Sequence, residues 1–584
     1  MKPRLRPFRI SVLLATLLLG FSLSAAADDS DRNVPSAKPA SVATDKAPAD
    51  AQPVDSGLTA QQFYQFMLGI VAGQRGQVPL AAAALLDLAQ TTHDPKLAKL
   101  AAEAEIQARQ YDAALVATRI WVDAEPESAE AQQMMVSLAA AFGRLDAVAA
   151  HLPRSLSLDA PENRPGNLMR LNRLLARIPD KAAVNVVVIE ATEPYLQLPE
   201  AHFARAQAAY NAGDKARART EIESALSERP NFELATLFKA ALVESKPAEV
   251  IAVLQPFVND HPQAADARLG LARALVAERR FDEALAQFKV LQSQQPNNPD
   301  VIYAVGLLST QSGDYATAEI QFKRLLDMNY PESNLVRVYL GQIAEEKKDD
   351  KAAAAWYAGV TSGPQYLDAQ ARAAQLTARA GDVDGAIAML NKVKSVKNEE
   401  RAPLALAKAT ILREAKRYEA AYALLDKALL VQPDEPDLLY EAGLDADYLK
   451  KFDVSERLWQ KLIKLKPDYA QAYNAWGYSL ADRGVRLDEA LVLVEKALEM
   501  RPNDPFILDS KGWVLFKKGD KQGALELLQR AYKGRPDPEI AAHIGEVLWS
   551  LDRQDEARNV WTEAARNSPG NEALSNAIKR FMAP

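Results

Sequence analysis

The chain has 584 residues with 70 Lys and Arg against 77 Asp and Glu, a formal net charge of −7, and no cysteine. That acidic balance opposes the concentrated cationic face that phosphate binding needs, so no nucleic-acid partner is expected. The absence of cysteine excludes disulfides, thiolate metal sites, thiol nucleophiles and lipid attachment through sulfur. Of all residues 48% are apolar but only 7% aromatic, and alanine is abundant, which predicts an all-α protein of closely packed helices.

The N-terminus, MKPRLRPFRISVLLATLLLGFSLSAAADDS, has a basic start, an apolar run from Ile10 to Leu23, and Ala25-Ala26-Ala27. It reads as a signal peptide over residues 1–27, with an apolar core shorter than the roughly 20 residues that a membrane span requires. The expected product is exported and periplasmic, with no later segment able to span a membrane. Residues 28–57 turn to Ala, Pro, Asp and Ser without a hydrophobic period. Such a stretch buries too little apolar surface to offset its ordering entropy and is expected to be a disordered linker.

LTAQQFYQFMLGIVAGQRGQ follows, with Phe63, Phe66, Met67 and Ile70 on one helical face. This face either begins the array or reaches a partner. From here a period near 34 residues runs through the chain. A small residue in the first half of each unit recurs in the second: Ala102 and Ala114, Ala272 and Ala284, Gly306 and Ala318, Gly443 and Ser455, Gly512 and Ala524, Gly545 and Ala557. The interval is 12 residues throughout except from Gly477 to Ala490, where RGVRLDEA carries one more turn residue. Two helices joined by a short turn must approach closely, and Gly, Ala or Ser lets their backbones do so. Larger residues such as Phe288, Phe322, Trp459 and Trp561 fill the gaps. A closing proline, as at Pro230, Pro296, Pro467, Pro502 and Pro536, marks the step to the next unit.

These features resemble the tetratricopeptide repeat. The resemblance implies a solenoid, a right-handed superhelix of about 14 antiparallel helix pairs. Repeats are expected over 58–150 and 199–569, with an irregular helical insert at 151–198, where HLPRSLSLDAPENRPGNLMRL loses the pattern, and a capping helix at 570–584.

The acidic residues that recur near the start of second helices (Asp282-Glu283, Asp488-Glu489, Asp555-Glu556) read as helix caps rather than general acids. His93, His151, His202, His261 and His543 are scattered, with no spacing for a metal site, and no nucleophile elbow or phosphate loop occurs. The chain is expected to be no enzyme, with no catalytic residue, cofactor or metal.

By analogy with the family, the side chains lining the inner surface in the C-terminal repeats are Tyr440, Tyr448, Asn474, Tyr478, Asp509, Trp513, Phe516, Glu546 and Trp549, together with Phe506. Tyr and Trp beside Asn and Asp suit a protein or peptide. The basic set that chaperone receptors of this family use is not matched, since Asn474, Tyr478 and Asp482 stand there. The segment ADRGVRLDEALVLVEKALEMRPNDPFILDSKGWVLFKKGD and the exported array also resemble envelope tetratricopeptide adaptors of pseudomonads. That resemblance implies a scaffold that binds and activates a carboxyl-terminal processing protease and presents peptidoglycan hydrolases to it. It also implies outer-membrane association through a lipidated cysteine, but Leu19-Gly20-Phe21-Ser22 holds no such residue here. The alternative expectation is a scaffold of an outer-membrane secretion or polysaccharide-export complex.

Overall fold

Helices of mostly 13 or 14 residues alternate with short turns along a computed structural model that describes residues 59–393 and 398–582. The expected leader and linker lie outside the described residues. Among the described residues there are 31 α-helices and no strand. None of these helices is long and apolar enough to cross a membrane. The chain forms two units, residues 1–314 and 315–584.

Most turns between paired helices are built on a residue in the left-handed region. In the first unit these include Arg109, Gly143, Gly213 and Arg279, and in the second Gly381, Lys416, Lys450, Gly519 and Asp552. The amide that follows reaches back to a carbonyl of the last helical turn, as Asp520 N–H does to Leu515 at 3.0 Å, which satisfies carbonyls the helix itself leaves open. The repeat with the longer turn uses two such residues, Gly484 at φ +69° and Arg486 at φ +50°. The extra residue is thus absorbed by a second left-handed step.

Two ways of beginning recur among the second helices, and the acidic pairs do not cap as their position suggested. Where the residue four before the small contact residue is Asp, it is the cap: Asp214, Asp349 and Asp520 each accept from a backbone amide three residues on, at 2.9 Å. Where that residue is Arg, the cap position makes no side-chain bond to the helix. The arginine instead pairs with the glutamate of the first turn: Arg280 with Glu283, Arg486 with Glu489 and Arg553 with Glu556. Asp488 stands two residues past the cap position held by Arg486 and does not cap the helix; its side chain is 97% exposed and pairs with Lys518. Its charge still favours the positive end of the helix, by roughly 0.3–1 kcal/mol.

Within each unit the helices meet through the small residues. Ala102, Ala114, Ala272, Ala284, Ala490, Ala524 and Ala557 are all fully buried. A Cβ added at Gly477 would stand 2.6 Å from Val494 Cγ2 and 2.9 Å from the Ala490 carbonyl oxygen. At Gly341 it would lie 2.6 Å from the Tyr357 ring. Behind these contacts lie Trp459, Trp561, Phe288 and Phe322, all nearly inaccessible.

Residues 151–198 are helical, with Leu145–Leu158 continuing through Pro153, then Arg164–Leu174, Lys181–Thr192 and a 3-10 turn at Glu193–Tyr195. Leu152, Leu156, Leu168, Leu171 and Val188 form their shared core. At the other end of the chain, helix Glu572–Met582 buries Leu574 and Ala577 and sets Phe581 against Trp561, centroids 5.7 Å apart. The same helix begins with Glu572, paired at 2.5 Å with Lys416, 156 residues earlier in the second unit.

Gly477→Ala gains the usual helix propensity of alanine but drives a methyl into a backbone oxygen. It is expected to destabilise the second unit by about 1–3 kcal/mol, read as a lower midpoint in chemical denaturation.

Candidate protein-binding surface

Helices Ala470–Asp482, Pro505–Lys518 and Pro538–Ser550 of the second unit bring side chains to a shared centre. His543 stacks on Trp513, centroids 4.1 Å apart, and its Nδ1 lies 2.9 Å from Asp509 Oδ1. Its Nε2 is 3.4 Å from the Tyr478 hydroxyl. The Trp513 indole N–H donates to Asp482 at 3.4 Å, and Lys517 lies over the Trp513 ring at 4.9 Å.

Burial works against charge on His543. The Asp509 carboxylate and its hydrogen bond, with Glu546 and Glu539 nearby, outweigh that and hold the imidazolium above its usual range. In the protonated ring both nitrogens donate, Nδ1–H to Asp509 and Nε2–H towards Tyr478. Burial raises the Tyr478 phenol well above its ordinary value. The Asp-His-Tyr row links side chains from three successive repeats. Glu546 is raised too, mainly by burial, and faces Arg580 at 3.8 Å.

The sequence-derived positions separate into groups. Tyr478, Asp509, Trp513, Phe516 and Glu546 come together around His543, with Phe516 set 5.3 Å from Trp513. Asp509 and Trp513 are 7% and 4% exposed, so they form the wall and leave little surface for a partner. Trp549 belongs to a separate aromatic group with Trp561 and Phe581. Phe506 lies under the Arg535 guanidinium. Asn474 has a buried Oδ1 that accepts no hydrogen bond among the described residues.

Tyr440 packs near Tyr469. Tyr448 lies apart from that group, 57% exposed and stacked at 3.9 Å on Tyr418. In the first unit, Phe63 and Met67 are 53% and 41% exposed, with Tyr64 at 66% beside them. Phe66 and Ile70 are partly buried on the same helix. His543 is the residue that sequence reasoning missed; it occupies the sixth position of its repeat, one of the inward positions, so the register that selected Glu546 also points to it.

A second buried charge lies nearby in sequence. Asp445 is 1% exposed, 3.5 Å from Arg413, and its Oδ2 has no hydrogen-bond partner among the described residues. Burial pushes its carboxyl up to about 6 from the ordinary 3.8, against the pull of Arg413. Glu456 goes the other way: burial opposes ionisation, but hydrogen bonds from Arg483 and Arg486 prevail and lower it. Among the described residues no three His, Cys, Asp or Glu side chains are grouped to hold a metal ion.

Family models described as tetratricopeptide repeat match residues 241–308 and residues 310–366, 440–505 and 510–572. The chain is similar to a protein of Pseudomonas aeruginosa named TPR repeat-containing protein PA4667, with 29% identity over 92% of this chain and 90% of that one. Among solved structures, a tetratricopeptide repeat protein from Parabacteroides merdae shares 16% identity over 43% of this chain and 99% of its own, with a TM-score of 0.36. Yeast Tom70 shares 17% identity over 73% of this chain and 96% of its own, also with a TM-score of 0.36.

Two pH dependences follow from the buried charges. The raised folded pKa of His543 contributes stability that is full below the unfolded value and lost as pH rises through the folded one. His543→Gln is expected to lower the thermal midpoint more at about pH 6 than at more alkaline pH, where the imidazolium contribution is lost. For Asp445 the sign is opposite: its ionised form is disfavoured in the folded state, so the protein gains stability as pH falls from above about 6 towards 4. Asp445→Asn should remove that slope and stabilise the protein at about pH 8 by on the order of 1–3 kcal/mol, measured by denaturant titration at both pH values.

Proposed function

Since the chain is a tetratricopeptide-repeat protein, an architecture suited to holding other proteins, we infer that it is a non-enzymatic adaptor of the cell envelope. In this reading it binds and activates a carboxyl-terminal processing protease and presents envelope substrates such as peptidoglycan hydrolases to it. The observation that carries the reading is the presence of large aromatic side chains left more than half exposed at two places: Phe63 and Tyr64 in the first unit and Tyr448 in the second. Exposed aromatics with apolar neighbours are typical anchors of protein interfaces, and two such places provide for an enzyme and its substrate. The similarity to a Pseudomonas repeat protein over 92% of this chain and 90% of that one supports a repeat scaffold; the envelope role rests on the sequence resemblance. The basic and apolar N-terminus supports export to the periplasm.

Purified protein should accelerate cleavage of a peptidoglycan hydrolase by the protease. Phe63→Ala with Met67→Ala is expected to weaken protease capture from envelope extract by at least about tenfold, and Tyr448→Ala to weaken substrate capture. Recovery of an outer-membrane β-barrel in place of a soluble protease would overturn the adaptor reading in favour of a secretion scaffold.

A further inference from the structure

In the first unit, helices Ala129–Ala141, Leu145–Leu158 and Arg164–Leu174 enclose a cavity of about 470 Å³. Its floor is aliphatic, with Val136, Leu152, Leu156 and Leu171 each about 2% exposed. Its rim carries Arg170, Arg173 and Arg177. The segment that supplies them, RPGNLMRLNRLLAR from Arg164 to Arg177, has four arginines and no acidic residue, within a chain of net charge −7.

The neighbouring charges are already engaged. Arg164 donates to the carbonyls of Leu156 and Asp159 at 3.0 and 2.8 Å, and Arg154 pairs with Glu127. Asp159 also borders the cavity, but its two oxygens accept from Gln133 and Asn167, each at 2.9 Å. The three rim arginines, all exposed, have no hydrogen-bond or ion-pair partner among the described residues. Like charges three residues apart on a helix repel. Elsewhere in this protein such arginines meet carboxylates, as Arg280, Arg417 and Arg553 do.

A cationic rim over an aliphatic floor selects an anion with an apolar body. The volume falls within the range of about 300–1,000 Å³ usual for ligand sites. Guanidinium groups match carboxylates with two parallel hydrogen bonds. Gln133, Ser137, Ser155 and Asn167 add polar groups around the cavity that suit peptide amides and have no use for an acyl chain. We propose that this cavity binds an acidic and aliphatic segment of a partner polypeptide, its carboxylate on the rim arginines and a Leu- or Val-like side chain on the floor. None of the aromatic residues of the adaptor surface takes part, so this assignment stands or falls separately from that reading.

The test is fluorescence anisotropy of the full chain with a labelled, acetylated peptide of alternating Glu and Leu. Three companion peptides carry Gln for Glu, an amidated end, or both. The wild type should bind the acidic peptide, and the version lacking every carboxylate should bind at least about tenfold more weakly. The two singly altered peptides tell whether a side chain or the chain end supplies the carboxylate.

Arg170→Gln, Arg173→Gln and Arg177→Gln combined should also cost at least about tenfold while leaving the thermal midpoint unchanged, because the three side chains are exposed. Lack of binding by the wild type, equal binding by the triple variant, or equal binding of the uncharged peptide would overturn the proposal. Displacement of the peptide by laurate or by anionic vesicles at lower concentration would overturn it in favour of a lipid site.

Discussion

The close approach of two helices through a pair of small residues is the constraint on which the rest of the fold depends. With Ala490 opposite Gly477, or Ala557 opposite Gly545, side chains such as Val494 and Trp561 can lie directly on the facing helix. A pair held that closely leaves one flank of each helix uncovered, and the next pair must supply the cover. Helix Glu572–Met582 covers the preceding pair with Leu574 and Ala577 buried and carries Lys579 and Arg580 in its last turn.

Because these contacts are periodic, the helical architecture was legible from spacing alone, and so was the identity of the buried alanines. What spacing could not resolve was how local polar groups divide their work. Asp488 and Asp520 look alike in sequence, each followed by the same kind of helix, yet a shift of two positions makes one an exposed ion-pair partner and the other a cap. The repeat register singles out Trp513, but its burial depends on His543 from the following repeat and Asp482 from the preceding one. A register names the side of a helix; it says nothing of what neighbours bring to that side.

Buried charge is distributed unevenly over the second unit. The Asp509–His543 pair and the Glu456 carboxylate with its two arginines are compensated by geometry. Asp445 is held less well, with one oxygen unbonded. Natural proteins tolerate such a cost where neighbouring packing over-determines the position, and Asp445 sits in helix Pro436–Tyr448 between the small contact residue Gly443 and buried Ala446. The cationic cavity of the first unit was hidden from sequence reading for a different cause. Its arginines are unremarkable in a row of letters, and only the fold shows that they border one opening while the nearby acid is held by amides.

The turn from Arg483 to Arg486 shows how little the array asks of its connections. It carries an additional residue, yet Gly477 still meets Ala490, and Arg486 still reaches back to Glu456 at 2.6 Å. A connection that lengthens without moving the contact it joins behaves as a slack joint. Such joints are where a repeat protein can accept a grafted loop or a break in the chain while its stacked helices keep their places, so new surface chemistry can be acquired there without renegotiating the core.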